Sequence, residues 1–168
     1  SFEWLLNQPG IDPDTDTLVA EAAGEIVADA GTWLHSSGKG ARCIVWAETS
    51  PGFEELRPLL LAWCVTRATE RLGTVSAEIP RVIRVSAEEH RIGYRDAIAA
   101  AGFGSMRSFA AMARPLTELP SQRRLPDTVE VIGWSDDLEQ ATRIASNDSF
   151  ADHWGSLPMT QEEFSGFF

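Results

Sequence analysis

Apolar and polar positions change period along this chain, and the changes mark its elements. Residues 17–21 (TLVAE), 26–35 (IVADAGTWLH) and 41–48 (ARCIVWAE) read as three short strands. They are divided by the turn clusters 22–25 (AAGE) and 36–40 (SSGKG), which predicts an antiparallel meander. The third strand carries an unbroken apolar run, the pattern of a strand covered on both faces. From residue 54 the period lengthens. Leu56, Leu60, Cys64 and Ala68 recur every fourth residue through 71, and Leu59 and Trp63 widen the stripe. Arg57, Arg67, Glu70 and Arg71 fall mostly off it, so an amphipathic helix is predicted to lie on the sheet. Pro58 is tolerated because it falls in the first turn. Residues 82–86 (VIRVS) read as another strand, 88–101 as a helix stopped by Gly102, and 105–115 (SMRSFAAMARP) as a last strand.

Residues 116–127 (LTELPSQRRLPD) hold two prolines, several polar residues and no period, the composition of a linker. Order restarts beyond it. Residues 128–134 (TVEVIGW) alternate as a strand, Ser135 is placed to cap a helix opening DDLEQATRIA, and Thr160-Gln161-Glu162-Glu163 is a capping-box pattern. The predicted organisation is a first domain over 1–115, a linker over 116–127, and the opening of a second domain over 128–168. The sequence begins without Met and breaks off inside the last predicted helix, so it reads as a piece of a longer protein.

Composition narrows the function. Net charge is -11, with 25 acidic against 14 basic residues. Such a surface repels phosphate backbones and anionic lipid, which argues against nucleic-acid and membrane partners. Cys43 and Cys64 lie in apolar runs without metal-ligand or disulfide spacing, as buried thiols of a reducing cytoplasm do. No apolar stretch reaches membrane-spanning length, and residues 1–10 lack the pattern of a secretory signal. His35 ends a strand beside a turn, where exposure is expected. His90 sits among Glu88, Glu89 and Arg91, and no third ligand joins Asp152 and His153 to make a metal site.

The order meander, helix, strand, helix, Gly-Phe, strand resembles the GNAT acetyltransferase fold. Three phrases carry the resemblance over residues 15–115: TLVAEAAGEIVADA, ARCIVWAETSPGFEELRPLLLAW and DAIAAAGFGSMRSFAAMARPL. The stretch Asn147-Asp148-Ser149-Phe150-Ala151-Asp152-His153-Trp154-Gly155 is similar to the first-helix phrase of tandem GNAT proteins of the mycothiol-synthase-like kind. The resemblance implies a mixed α/β (α+β) fold, with a mostly antiparallel central sheet flanked by helices and then the start of a second such domain.

It also implies an activity: transfer of an acetyl group from acetyl-CoA, as co-substrate and without a metal, to the amine of a small molecule. The backbone of Val45, Trp46 and Ala47 would hold the pantetheine, and the loop at Gly52 and Phe53 would present N–H groups to the pyrophosphate at a helix N-terminus. The family's loop is rich in glycine because phosphate oxygens approach bare backbone. Here only Gly52 remains, Glu54 and Glu55 stand where phosphate charge would go, and Pro58 removes a donor. The position of the family's tyrosine acid is Ile98. Tyr94 lies one turn earlier, where a surface role is expected, and among Glu21, Glu25 and Glu48 none is marked as a base, so the catalytic residues are unassigned. Phe150, Asp152 and Trp154 are the candidates for the second domain's substrate groove. The expected function is a cytoplasmic tandem N-acetyltransferase whose working site lies in the second domain. The alternative is a non-catalytic, vestigial module that stabilises or shapes its neighbour. The acceptor amine and the oligomeric state stay open, a homodimer among the options.

Overall fold

The computed structural model describes residues 6–115, 117 and 124–166. The meander forms as β1 (Thr17–Ala22), β2 (Glu25–Ser37) and β3 (Gly40–Thr49), each antiparallel to the next. A short β4 (Arg81–Arg84) adds parallel to β3, giving the order β1-β2-β3-β4. This mixed four-stranded sheet flanked by helices is the α/β architecture expected, in an order consistent with a GNAT-like fold.

A helical turn, α1 (Pro13–Asp16), precedes the sheet. Its last residue is a buried carboxylate. Asp16 accepts from Arg67 Nε at 2.8 Å and from the Asp12 N–H at 2.9 Å, and pairs with Arg71. Two arginines that the sequence pattern assigns to a solvated face thus clamp the start of the chain to the main helix.

That helix is α2 (Arg57–Gly73), entered through a 3-10 turn at Glu54–Leu56. Leu60, Leu61, Cys64, Ala68 and Leu72 are buried against Ala28, Ala30, Ala41, Cys43, Val45 and Ala47. Small residues on this sheet face let the helix come close. The expected stripe is right in its main row and wrong at its edge: Leu59 is 70% exposed, and Leu61 is fully buried in its place. At about 100° per residue, a four-residue step drifts roughly 40° toward Leu61 and away from Leu59. The same drift turns Arg57 inward, where it is buried. Cys43 and Cys64 lie free in this core.

The next helix, α3 (Ile92–Ala100), starts four residues later than expected because the Arg91 N–H closes a turn onto Glu88 O. It ends at Gly102, as expected, and Ala97, Ile98 and Phe103 pack on the core. Residues 105–115 and 128–134, both expected as strands, form none. Alternation supplies a strand's faces but not its partner, and neither segment has one: the described sheet ends at the four-residue β4. Met106 and Met112 are exposed, Met112 by 93%. Most of the 116–127 linker falls outside the described residues.

The last segment forms a 3-10 turn at Asp136–Leu138, then α4 (Glu139–Ser149) and α5 (Gln161–Ser165). Ser135 makes no side-chain cap, contrary to expectation, whereas the Thr160–Glu163 capping box is complete. The Asn147 side chain locks the connection, accepting from Met159 N at 2.8 Å and donating to Met159 O at 3.0 Å. Among the described residues no helix is long and apolar enough to cross a membrane.

Candidate functional site

Two places on β3 carry groups with chemical potential, one near each end. At the C-terminal end the sheet opens. The pairing of β3 with β4 runs only from Ala41 opposite Arg81 to Ile44 opposite Arg84, while β3 continues to Thr49. The Ala41 N–H donates to Pro80 O at 2.8 Å, so the odd-numbered residues of β3 aim their backbone groups to this side. Beyond Ile44 no strand among the described residues neighbours that edge, to which Val45 and Ala47 turn their backbone groups while Trp46 turns its own to β2.

The edge is filled from within. Tyr94, expected on the surface, is 3% exposed, and its phenolic oxygen accepts the Ala47 N–H at 3.3 Å. Burial raises its pKa, so the phenol stays protonated at neutral pH. Two guanidiniums lie over the ring, Arg57 at 5.3 Å and Arg91 at 4.6 Å from its centroid. Arg91 holds Glu48 by both carboxylate oxygens, at 2.8 and 2.5 Å, and Arg57 donates to Thr49 Oγ1 at 2.5 Å. Glu48 is therefore engaged rather than poised as a base, and Glu21 and Glu25 lie exposed on the β1–β2 hairpin.

Side chains at this end are also occupied. Val45 and Ala47 point into the core under α2. Trp46 donates its indole N–H to Asp29 Oδ2 at 2.9 Å and lies on Gly31, where an added Cβ would come within 2.1 Å of the ring. Burial pushes the Cys43 thiol up to about 11 and the Cys64 thiol up to about 12, so neither supplies a thiolate.

The loop that follows bears directly on an anionic ligand. Gly52 is held at φ +89 by a turn in which the Phe53 N–H donates to Ser50 O. The Gly52 N–H donates to Glu54 Oε2 at 2.9 Å. The protein's own carboxylate thus takes the donor that a phosphate oxygen would need. Tyr94 already takes the strand N–H that a pantetheine chain would pair with, and the loop does not suit a pyrophosphate.

Near the N-terminal end of β3 lies a cleft of about 350 Å³ between the sheet face opposite α2 and the 146–163 segment. Arg42 on β3, its cross-strand partner His35 on β2, and Arg84 on β4 enter it from the sheet. Phe109, Phe150 and Trp154 wall it. Arg42 donates to Gly155 O, and His35 Nδ1 lies 3.5 Å from Glu163 Oε1. His35, expected to be exposed, keeps only 14% of its side chain accessible. Burial, then the Arg42 charge, lowers its pKa against the opposing pull of Glu163, so the ring is neutral at pH 7.

The sequence-predicted residues therefore divide. Val45, Trp46, Ala47, Gly52 and Phe53 gather at one end of β3. Phe150 and Trp154 meet in the cleft near the other, and Asp152 lies outside the cleft lining. Five residues of extended chain separate Arg42 from Ala47, about 17 Å at ~3.3 Å per residue. Tyr94 as a filler of the edge, and Arg57, Arg84, Arg91 and Phe109, went unassigned. The alternation of Arg with apolar residues in ARCIV and VIRVS was a usable signal for the cleft. No cluster of three metal-ligating side chains occurs among the described residues.

No protein-family model and no curated protein matches the sequence. Among solved structures, the chain is similar to TTHA1254 from Thermus thermophilus, at 19% identity and a TM-score of 0.41 over 62% of this chain and 73% of that one. It is also similar to a "Putative acetyltransferase" from Agrobacterium tumefaciens, at 13% identity and a TM-score of 0.47 over 67% of this chain and 75% of that one. At such identities and scores these similarities carry no conclusion about activity.

Proposed function

We propose that the chain is part of a tandem GNAT-type N-acetyltransferase using acetyl-CoA and a small-molecule amine, in which residues 1–115 are a non-catalytic first domain. Residues 116–127 are the linker, and 128–168 open the domain that performs the transfer, with Phe150, Asp152 and Trp154 toward its acceptor. The three sequence phrases support the family, and the parting of β3 from β4 after Ile44 agrees with it.

The observation that favours a relic first site is the Glu54 carboxylate on the Gly52 N–H. A pyrophosphate would have to displace that carboxylate and accept its repulsion. The Tyr94 phenol on Ala47 N–H closes the adjoining edge in the same way. No step of acyl transfer is therefore assigned to this edge. A purely structural role for the first domain is the second reading. It is favoured by the bonds that tie the later segment to the first domain, Arg42 on β3 to Gly155 O and Gln8, ahead of α1, from Nε2 to Gly166 O at 3.3 Å.

Calorimetric titration of acetyl-CoA into this chain and into the longer protein with its second domain complete tests the proposal. Binding by the longer protein alone is expected. Binding by neither favours the structural reading, and binding by this chain overturns the assignment of its site as a relic.

A further inference from the structure

The cleft near the N-terminal end of β3 shares Phe150 and Trp154 with the proposed acceptor side, but its cationic side chains are ones the transferase reading does not use. Arg84 lies with its guanidinium 5.2 Å from the Trp154 ring centroid and 5.8 Å from that of Phe109, and these two rings stand 6.2 Å apart. Stacking of this kind fixes the plane of the guanidinium and leaves its N–H edge for an acceptor. Among the described residues no acceptor meets it. Arg42 stands beside it: burial, then the charge of Arg84, lowers the Arg42 pKa. Arg42 spends one N–H on Gly155 O, while its Nε is buried without a partner among the described residues. His35 Nε2 is likewise buried and unpartnered.

Two neighbouring guanidiniums with unmet donors, in a chain of net charge -11, need an anion. The charges facing the cleft set its valence. Arg42 and Arg84 bring two positive charges, Glu163 brings one negative, and His35 is neutral at pH 7. The lining groups balance to one positive charge, which suits a monoanion, with Arg107 outside the lining at 5.4 Å from the Trp154 ring centroid. The other walls are flat and apolar, from Phe109, Phe150 and Trp154, and the volume of about 350 Å³ suits a small molecule.

We propose that this cleft binds a small organic monoanion with a flat ring, an aromatic carboxylate, its carboxylate on Arg84 and Arg42 and its ring among Phe109, Phe150 and Trp154. The fork of a guanidinium matches the two oxygens of a carboxylate, and fixed aromatic walls reward a planar ligand. The site lies at the other end of β3 from the strand edge discussed above. It holds whether or not the chain belongs to a transferase.

Benzoate is the probe, with benzamide as its uncharged isostere and acetate as the anion without a ring. Affinities come from calorimetry, and location comes from the indole N–H resonance of Trp154 in a 15N spectrum. Benzoate is expected to bind at least about tenfold more tightly than either control, since each loses one of the two recognition elements. It should shift the Trp154 resonance, and Arg84→Met should remove the preference over benzamide. Equal binding of benzoate and benzamide overturns the anion site, and equal binding of benzoate and acetate overturns the aromatic one. Undiminished benzoate binding by Arg84→Met, or none by the wild-type chain at millimolar concentration, overturns the proposal altogether. Should Arg84→Met fail to fold, the three-ligand comparison and the Trp154 shift in the wild-type chain decide by themselves.

Discussion

The two ends of β3 handle exposed polarity in opposite ways. At the C-terminal end, where the strand loses its neighbour, the protein supplies partners: Tyr94 for the Ala47 N–H, Glu54 for the Gly52 N–H, Arg57 for Thr49 and Arg91 for Glu48. Near the N-terminal end, Arg42 Nε and the edge of Arg84 wait without acceptors, and His35 Nε2 without a partner, among the described residues. A buried donor left unpaired is costly, whereas one paired internally is nearly neutral. The first end therefore meets its free strand and loop N–H groups from within, with Arg57 Nε its one buried unpaired donor among the described residues, whereas at the second end both guanidiniums keep unmet donors and the His35 ring an unmet nitrogen. Resemblance of sequence draws attention to the first end; unmet hydrogen-bonding capacity draws it to the second.

Both ends stand on one core, and breaking that core should abolish the contrast. Asp16→Ala removes a fully buried charge and leaves Arg67 and Arg71 facing each other, so a loss of about 3–5 kcal/mol is expected in chemical denaturation. Leu61→Ala should cost about 2–5 kcal/mol, against a change within about 0.5 kcal/mol for Leu59→Ala, its exposed neighbour. Equal costs for the two leucines would mean that the helix faces the sheet on its other side.

Finer changes separate the two ends. Tyr94→Phe strands the Ala47 N–H at the filled end and should cost about 1–3 kcal/mol, with faster hydrogen exchange at Ala47 and none of that acceleration at His35. At the cleft end, His35 has a folded pKa below its ordinary 6.5, because burial and Arg42 oppose its proton. The folded state then binds fewer protons than the unfolded one. Stability is retained above pH 6.5 and falls as pH drops below it, by at most about 1.4 kcal/mol per pH unit. Denaturation midpoints from pH 7.5 to 5.5 should show this slope in the wild-type chain and a smaller one in His35→Gln.

Periodicity made the meander, α2, α3 and the Thr160 cap legible, because each is fixed by local spacing that only one geometry satisfies. Residues 105–115 and 128–134 misled for a physical reason. Their alternation is that of a strand, but a strand exists only with a partner, and partners are not encoded locally. The candidate site was half legible. Gly52 and Glu54 stand two residues apart, so their contact could be foreseen. Tyr94 reaches Ala47 across 47 residues, and Arg84 meets Trp154 across 70; such pairs depend on tertiary placement that no window of sequence contains.

The central claim is that the C-terminal end of β3 is closed by the protein's own side chains. Following the Ala47 and Gly52 amide resonances while acetyl-CoA is added to ~1 mM tests it most directly, since binding weaker than that is below any useful affinity. Both resonances are expected to stay in place in the wild-type chain, with at most a weak response after Glu54→Gly. Saturable shifts of both at micromolar acetyl-CoA in the wild-type chain would contradict the account, because the ligand would then have displaced Tyr94 and Glu54 with ease.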